Sequence, residues 1–82
     1  DLKKILIQMG ASKIQMKNSY FYFSGFCTLN SRILYFSCTD TREGNQRILF
    51  RYAKSYQDYK GEKNHLITFD EEKIKNLITR LK

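Results

Sequence analysis

Tryptophan and proline are absent from this chain, and histidine and cysteine, which often build catalytic and metal sites, are scarce, with one histidine and two cysteines. Zinc usually takes four His, Cys or carboxylate ligands at recognisable spacing, and no such cluster is present. The four glycines are scattered, so no phosphate-cradling glycine motif exists. We therefore expect no metal, no cofactor and no enzymatic activity.

Long apolar runs and a cysteine framework are also missing. Without about 18 consecutive apolar residues, no membrane-spanning helix is expected, and no charged segment leading into an apolar one supports secretion. Cys27 and Cys38 lie in apolar, strand-like segments, whereas a small secreted domain usually carries four or more cysteines. We expect two buried free thiols in a reducing cytoplasm. A Cys27–Cys38 disulfide is the alternative if their strands are neighbours.

The length and charge point to a small basic domain. Its 82 residues fit a single domain over residues 1–82, and a 41% hydrophobic content is too high for a disordered chain. Fifteen Lys and Arg against eight Asp and Glu give a net charge of +7. Such an excess favours an anionic partner, and we rank nucleic acid before an acidic protein surface. Solubility alone is the simplest other explanation.

Two segments have the apolar spacing of helices. The first has its stripe at Leu2, Ile5, Leu6 and Met9, with Asp1 as a candidate N-cap. Gly10 lies where a helix commonly ends. Ile5 to Ile7 also fits a short strand, but we favour the helix.

The clearest helix follows Thr68, which with Glu71 fits a capping box. Its predicted buried stripe consists of Ile74, Leu77, Ile78 and Leu81. Acidic residues at its start and basic residues at its end complement the helix dipole.

Alternating and aromatic-rich segments between these helices predict strands over residues 13–17, 20–27, 32–38, 46–53 and 65–69. Gly25 suggests a bulge or a bend in the second strand. Short turns between consecutive strands imply an antiparallel meander. We therefore predict an α+β domain, in which a four- or five-stranded antiparallel sheet carries a C-terminal and a short N-terminal helix on one face.

The strand alternation leaves a second sheet face that is not plainly polar. Tyrosines interleaved with arginines there can stack on unpaired bases, while Lys and Arg hold phosphates. The candidate nucleic-acid-binding residues are Tyr20, Tyr22, Tyr35, Arg47, Arg51, Tyr52, Lys54, Lys60 and Lys63. The competing interpretation is that the tyrosines fill a second apolar layer or a homodimer interface.

Two further functions stay open. The small size and an amino-acid usage typical of AT-rich genomes fit an inhibitor or adaptor, encoded by a phage or mobile element, that binds an acidic protein. The other is a small ribonuclease-like toxin, a class that works with few residues, and here Arg47, Arg51, Tyr52 and His65 could serve that role. A Cys–His pair is disfavoured because both thiols are expected to be buried.

The C-terminal part of the chain resembles the positive-coactivator-four family of single-stranded-DNA binders. The resembling residues are Ile48 to Tyr52, Asp58 to Glu62, and Leu66 to Glu72 with the closing helix. The purine-rich-element-binding repeat is similar to about the same extent. Both resemblances imply a dimeric sheet that binds single strands, with Arg47, Arg51, Tyr52 and Lys60 as positions to test.

The resemblance covers residues 47–82, which is less than half of the chain. This sequence departs from the family pattern at Asn64-His65, where the family has a glycine before its last strand. The family pattern also does not include the N-terminal helix and the additional strand between Tyr20 and Cys38 that we predict for this sequence.

Overall fold

The computed structural model describes residues 2–18, 22–38, 47–58 and 62–81. In chain order the elements are α1 (Leu2–Gln8), β1 (Ser12–Asn18), β2 (Phe23–Leu29), β3 (Arg32–Cys38), β4 (Arg47–Ala53), β5 (His65–Thr68) and α2 (Glu71–Leu81). The strands form one five-stranded antiparallel meander in the order β1-β2-β3-β4-β5. The predicted α+β fold is confirmed. No helix in the described ranges is long and apolar enough to cross a membrane.

The end of α1 is set by Gly10, as its position in the sequence predicts. Gly10 has a φ of 93°, which a residue with a side chain rarely adopts. The Ala11 amide donates to the Leu6 carbonyl at 2.9 Å and the Gly10 amide to the Ile7 carbonyl at 3.0 Å. These two bonds form a Schellman motif, which satisfies carbonyls that the end of the helix would leave without partners.

The start of α2 differs from the prediction. Thr68 is the last residue of β5 and pairs with Arg47, so it does not cap the helix. Asp70 holds the N-cap position instead, and its carbonyl accepts the first helical bond, from the Ile74 amide at 2.9 Å. Thr68 is therefore part of the sheet, although local capping preference had predicted it as the N-cap of the helix.

Both helices cover the same face of the sheet, and the core lies between the two layers. Its fully buried helix side chains include Leu6, Ile74 and Ile78. The strands contribute every second residue from their inner face, namely Cys27, Leu29, Leu34, Phe36, Ile48, Phe50 and Tyr52. This alternation is the expected consequence of the two-residue period of a strand.

A tight hairpin joins β2 to β3. Asn30 and Ser31 form its two-residue loop with φ values of 51° and 66°, and Leu29 pairs with Arg32 directly before and after it. Positive φ at both loop residues is the property of a type I′ turn, whose twist matches that of the flanking strands. This turn sets the register between β2 and β3.

Gly25 does not form the predicted bulge. It pairs regularly with Met16 on one side and Phe36 on the other, and the irregularity of the sheet lies in β1 between Ser12 and Gln15. A Cβ atom on Gly25 would lie 2.0 Å from the Gln15 carbonyl oxygen. The glycine is therefore needed because β1 approaches β2 so closely.

The two cysteines are free and buried. Their strands are neighbours, but Cys27 lies opposite Leu34 and Cys38 lies opposite Phe23. The thiols are thus separated along the strands, and no disulfide joins them. Burial raises the pKa of Cys27 to about 12 and also raises the pKa of Cys38.

Candidate nucleic-acid interface

The sheet face opposite the helices, here called the open face, is organised in rows that run across the strands. Side chains directly opposite one another in neighbouring strands lie on the same face. The pairing registers define an aromatic row made of Gln15, Phe26, Tyr35 and Arg51. The next row, called the serine row, consists of Lys17, Ser24, Ser37, Leu49 and Leu66.

The aromatic row is held together by ring and cation–π contacts. The ring centroids of Phe26 and Tyr35 are 5.1 Å apart, and the Arg51 guanidinium carbon lies 4.4 Å from the Tyr35 ring centroid. Arg51 also donates to the Asn64 side-chain oxygen at 3.4 Å, just before β5. Because Arg51 covers the Tyr35 ring, this tyrosine is less available for base stacking than its sequence position suggested.

Tyr56, in the segment after β4, crosses the open face and closes one end of it. Its ring centroid lies 5.8 Å from that of Phe26, which is only 4% exposed. The Tyr56 hydroxyl donates to the Lys13 carbonyl at 3.2 Å and lies 2.6 Å from the Thr28 hydroxyl. Asp58 accepts a bond from the Lys54 amide at 3.0 Å, which helps to shape this segment. The segment over residues 54–58 is therefore a built part of the surface.

The side chains at the centre of the serine row are shorter than those of the aromatic row beside it. Ser24 and Ser37 have short side chains at its centre, between Lys17 at one edge strand and Leu66 at the other. At the β1–β2 end the surface deepens into a cavity of about 180 Å³. The open face is therefore concave at this end.

The charge of the sheet is of one sign. All five strands together contain no Asp or Glu, and their basic residues are Lys13, Lys17, Arg32, Arg47 and Arg51. Three of these, Lys17, Arg47 and Arg51, belong to the open face. Glu71 and Glu72 lie instead in the first turn of α2, in the helix layer. The open face can therefore attract anions without repulsion from carboxylates within the sheet.

Most of the described candidate residues lie on or beside the open face. Tyr35, Arg47 and Arg51 are on it, and Tyr22, just before β2, is 53% exposed. Lys54 and Lys63 are exposed in the segment between β4 and β5. Tyr20 and Lys60 lie outside the described residues.

Tyr52 does not belong to this surface. It follows Arg51 in β4, so its side chain points to the helix layer, where it is 7% exposed. Its hydroxyl donates to the Leu81 carbonyl, and the Arg32 guanidinium carbon lies 3.6 Å from its ring centroid. Burial raises the pKa of Tyr52, the nearby Glu62 carboxylate adds to the rise, and Arg32 opposes it. Tyr52 is a core residue and leaves the candidate site.

The four residues named for a ribonuclease are divided between the two faces. His65 pairs with Phe50, so it shares the helix side of the sheet with Tyr52. Arg47 and Arg51 are on the open face. A general base and its electrostatic partners must lie within reach of the same reacting group, and these four do not converge.

The residues of the site that were not among the candidates include Gln15, Lys17, Phe26 and Tyr56. Phe26 could be assigned to the open face by alternation, but only the register shows that it stands directly beside Tyr35. No local signal places Tyr56 over β1 and β2. The cross-strand partners of Gln15 and Lys17 likewise depend on the register shift within β1.

No protein-family model matches the sequence, and neither a curated protein nor a solved structure is significantly similar to it. The resemblance of residues 47–82 to single-stranded-DNA binders therefore stays a prediction.

Proposed function

We propose that this protein binds single-stranded nucleic acid across the open face of its sheet. The observation that carries the proposal is the absence of any carboxylate from the five strands, while Lys17, Arg47 and Arg51 project from that face. Cationic side chains on strands that carry no acidic residues can neutralise phosphates and release their counterions. A net charge of +7 adds a long-range attraction for the same polyanion.

The shape of the face favours a single strand over a duplex. Reading duplex DNA usually requires a helix or a ribbon that projects into the major groove. The open face offers the short side chains of Ser24 and Ser37 beside the cationic Lys17, together with the partly buried rings of Tyr35 and Tyr56. Unpaired bases can stack on such rings, and the exposed Tyr22 is the most accessible of those described here.

The proposal is tested by fluorescence anisotropy with labelled single-stranded DNA, single-stranded RNA and duplex DNA at several salt concentrations. If the three sheet cations each contact one phosphate, log K falls with log salt at a slope of roughly −2 for a single strand. The affinity then drops about 20-fold between 50 and 200 mM salt. Absence of binding to every nucleic acid at low salt would refute the proposal.

A pair of charge reversals locates the interface. Lys17→Glu places a carboxylate on the open face, and we expect affinity to fall on the order of 10-fold with a shallower salt slope. Lys4→Glu makes the same change in net charge on an exposed position of α1, in the helix layer. Equal losses in the two variants would show that net charge, and not this face, drives binding.

An acidic protein surface is the second candidate, and one apolar pair favours it. Leu49 and Leu66 lie opposite each other beside Arg47, and Leu66 is 50% exposed. An apolar contact flanked by arginine is typical of protein interfaces. A pull-down would favour this function over strand binding if it captured one protein in stoichiometric amount. The interaction should survive nuclease treatment and be lost in the Leu66→Ser variant.

A further inference from the structure

The cavity at the β1–β2 end of the open face has a mixed polar and aromatic lining. It measures about 180 Å³ and is lined by Gln15, Lys17, Ser24, Phe26, Tyr56 and Gln57. Among the described residues of this lining Lys17 is the one that is charged, and the two glutamines offer amide groups that both donate and accept hydrogen bonds. Concave sites with an aromatic wall and a few placed polar groups are typical of small-molecule and base pockets.

We propose that this cavity holds one unpaired base of the bound strand and prefers adenine, an inference that rests on the proposed function. A glutamine amide can pair in bidentate fashion with adenine, accepting from N6 and donating to N7. Gln15 and Gln57 approach the cavity from different elements, β1 and the segment after β4. The Phe26 and Tyr56 rings supply the apolar surface against which a flipped-out base packs.

The pocket is built before any ligand arrives. Tyr56 is fixed over Phe26 by its contacts with the Lys13 carbonyl and the Thr28 hydroxyl. Gly25, which also lines the cavity, allows the backbone at Gln15 to lie against β2. A preformed wall reduces the ordering cost of binding.

The position of the pocket suits a strand more than a free metabolite. Lys17 lines it and also ends the serine row, which runs across the sheet through Ser24 and Ser37 to Leu49 and Leu66. A strand lying along this row can place a phosphate at Lys17 while one base turns into the cavity. Phosphate contacts would position the strand, and the base contact would provide selectivity.

The test compares oligo-dA, oligo-dT and oligo-dC of about 12 nucleotides, a length that a small domain can cover. We expect wild-type protein to bind oligo-dA at least about five-fold more tightly than the other two. Gln15→Leu and Gln57→Leu should abolish this preference, so that each variant binds oligo-dA and oligo-dT with affinities equal to within about two-fold. Gln8→Leu, at an exposed position on α1, is the matched control and should keep the preference.

A second readout separates this inference from the proposed function. Adenosine monophosphate is titrated into the labelled protein while the glutamine side-chain amide signals are followed by NMR. Shifts confined to Gln15 and Gln57 support the pocket even if no oligonucleotide binds. Equal affinity for all three oligonucleotides together with unshifted glutamine amides overturns the pocket and leaves strand binding intact.

Discussion

The two faces of the sheet are built from the same strands but are stabilised by different interactions. Toward the helices, Leu34, Phe36, Ile48 and Phe50 are all 0% exposed and form a continuous apolar layer. Toward the open face, their chain neighbours Tyr35 and Arg51 pack on one another through a cation–π contact. The buried face is held by close packing, whereas the open face is held by rings, cations and polar bonds that can also meet a ligand.

This difference shows that a side chain on the open face can be buried without a helix packing on it. Phe26 is 4% exposed although the two described helices, α1 and α2, lie on the other face of the sheet. Tyr35 and Tyr56 shield it instead, from the next strand and from the segment after β4. The open face thus has its own small cluster, on which the candidate interface is built.

Removing a large core side chain should produce the largest effect. Phe36→Ala is expected to destabilise the fold by about 3–5 kcal/mol because it removes a ring that is fully buried. Urea unfolding measures the change. The adjacent open-face variant Ser37→Ala should remain within about 0.5 kcal/mol of wild type. Similar losses for both would contradict the division between the faces.

Thiol reactivity gives the next largest contrast. Burial raises the pKa of Cys27 from 9.0 to about 12, and only the thiolate attacks a disulfide reagent. At about pH 8 the thiolate fraction of Cys27 should be about 1,000-fold below that of an unfolded thiol. We expect slow modification in native protein and rapid modification in denaturant. An added thiol on the open face, Ser37→Cys, should react much faster than Cys27, and equal rates would count against the burial.

Adding one methyl group at Gly25 tests the close approach of β1. Gly25→Ala should cost about 1–3 kcal/mol because the new Cβ atom would overlap the Gln15 carbonyl oxygen. Hydrogen exchange should show faster opening of the β1 amides. Ser24→Ala, one residue away on the open face, is the control and should be near wild type. Unchanged stability in Gly25→Ala would mean that β1 lies farther from β2.

The smallest effect is expected from the hydroxyl that anchors Tyr56. Tyr56→Phe keeps the ring over Phe26 but loses the bonds to the Lys13 carbonyl and the Thr28 hydroxyl. We expect a loss of about 0.5–1.5 kcal/mol in thermal or urea unfolding. Tyr22→Phe removes a hydroxyl from a side chain that is 53% exposed and should have no measurable effect. Equal behaviour would show that the Tyr56 bonds do not hold the segment.

Local patterns predicted the elements well because helices and strands have distinct apolar periods. Ile74, Leu77 and Ile78 are buried as their spacing predicts, and Gly10 ends α1. The predicted start of α2 was wrong. Thr68 and Asp70 are both favourable N-cap residues, but Thr68 pairs with Arg47 of β4, which leaves Asp70 as the N-cap. Gly25 was misread because a strand glycine marks either a bulge or a close approach, and only the neighbouring strand distinguishes these.

The candidate site was predicted only in part, because strand alternation shows which face a residue occupies but not which residues lie beside it. Alternation placed Tyr35, Arg47 and Arg51 together, and it also placed Tyr52 on the other side of the sheet. Including Tyr52 in the site therefore gave more weight to residue type than to the period of the strand. Gln15 could not be identified because its partners depend on an irregularity in β1.

The sequence by itself determined the charge of the strands, the two faces and the order of the elements, because these depend on composition and on contacts between near neighbours. Only the tertiary structure decided which side chains stand in the same row and where the open face is closed. Tyr56 meets Lys13 across 43 residues and Thr28 across 28. Such contacts depend on strand register and chain closure, which no local pattern encodes.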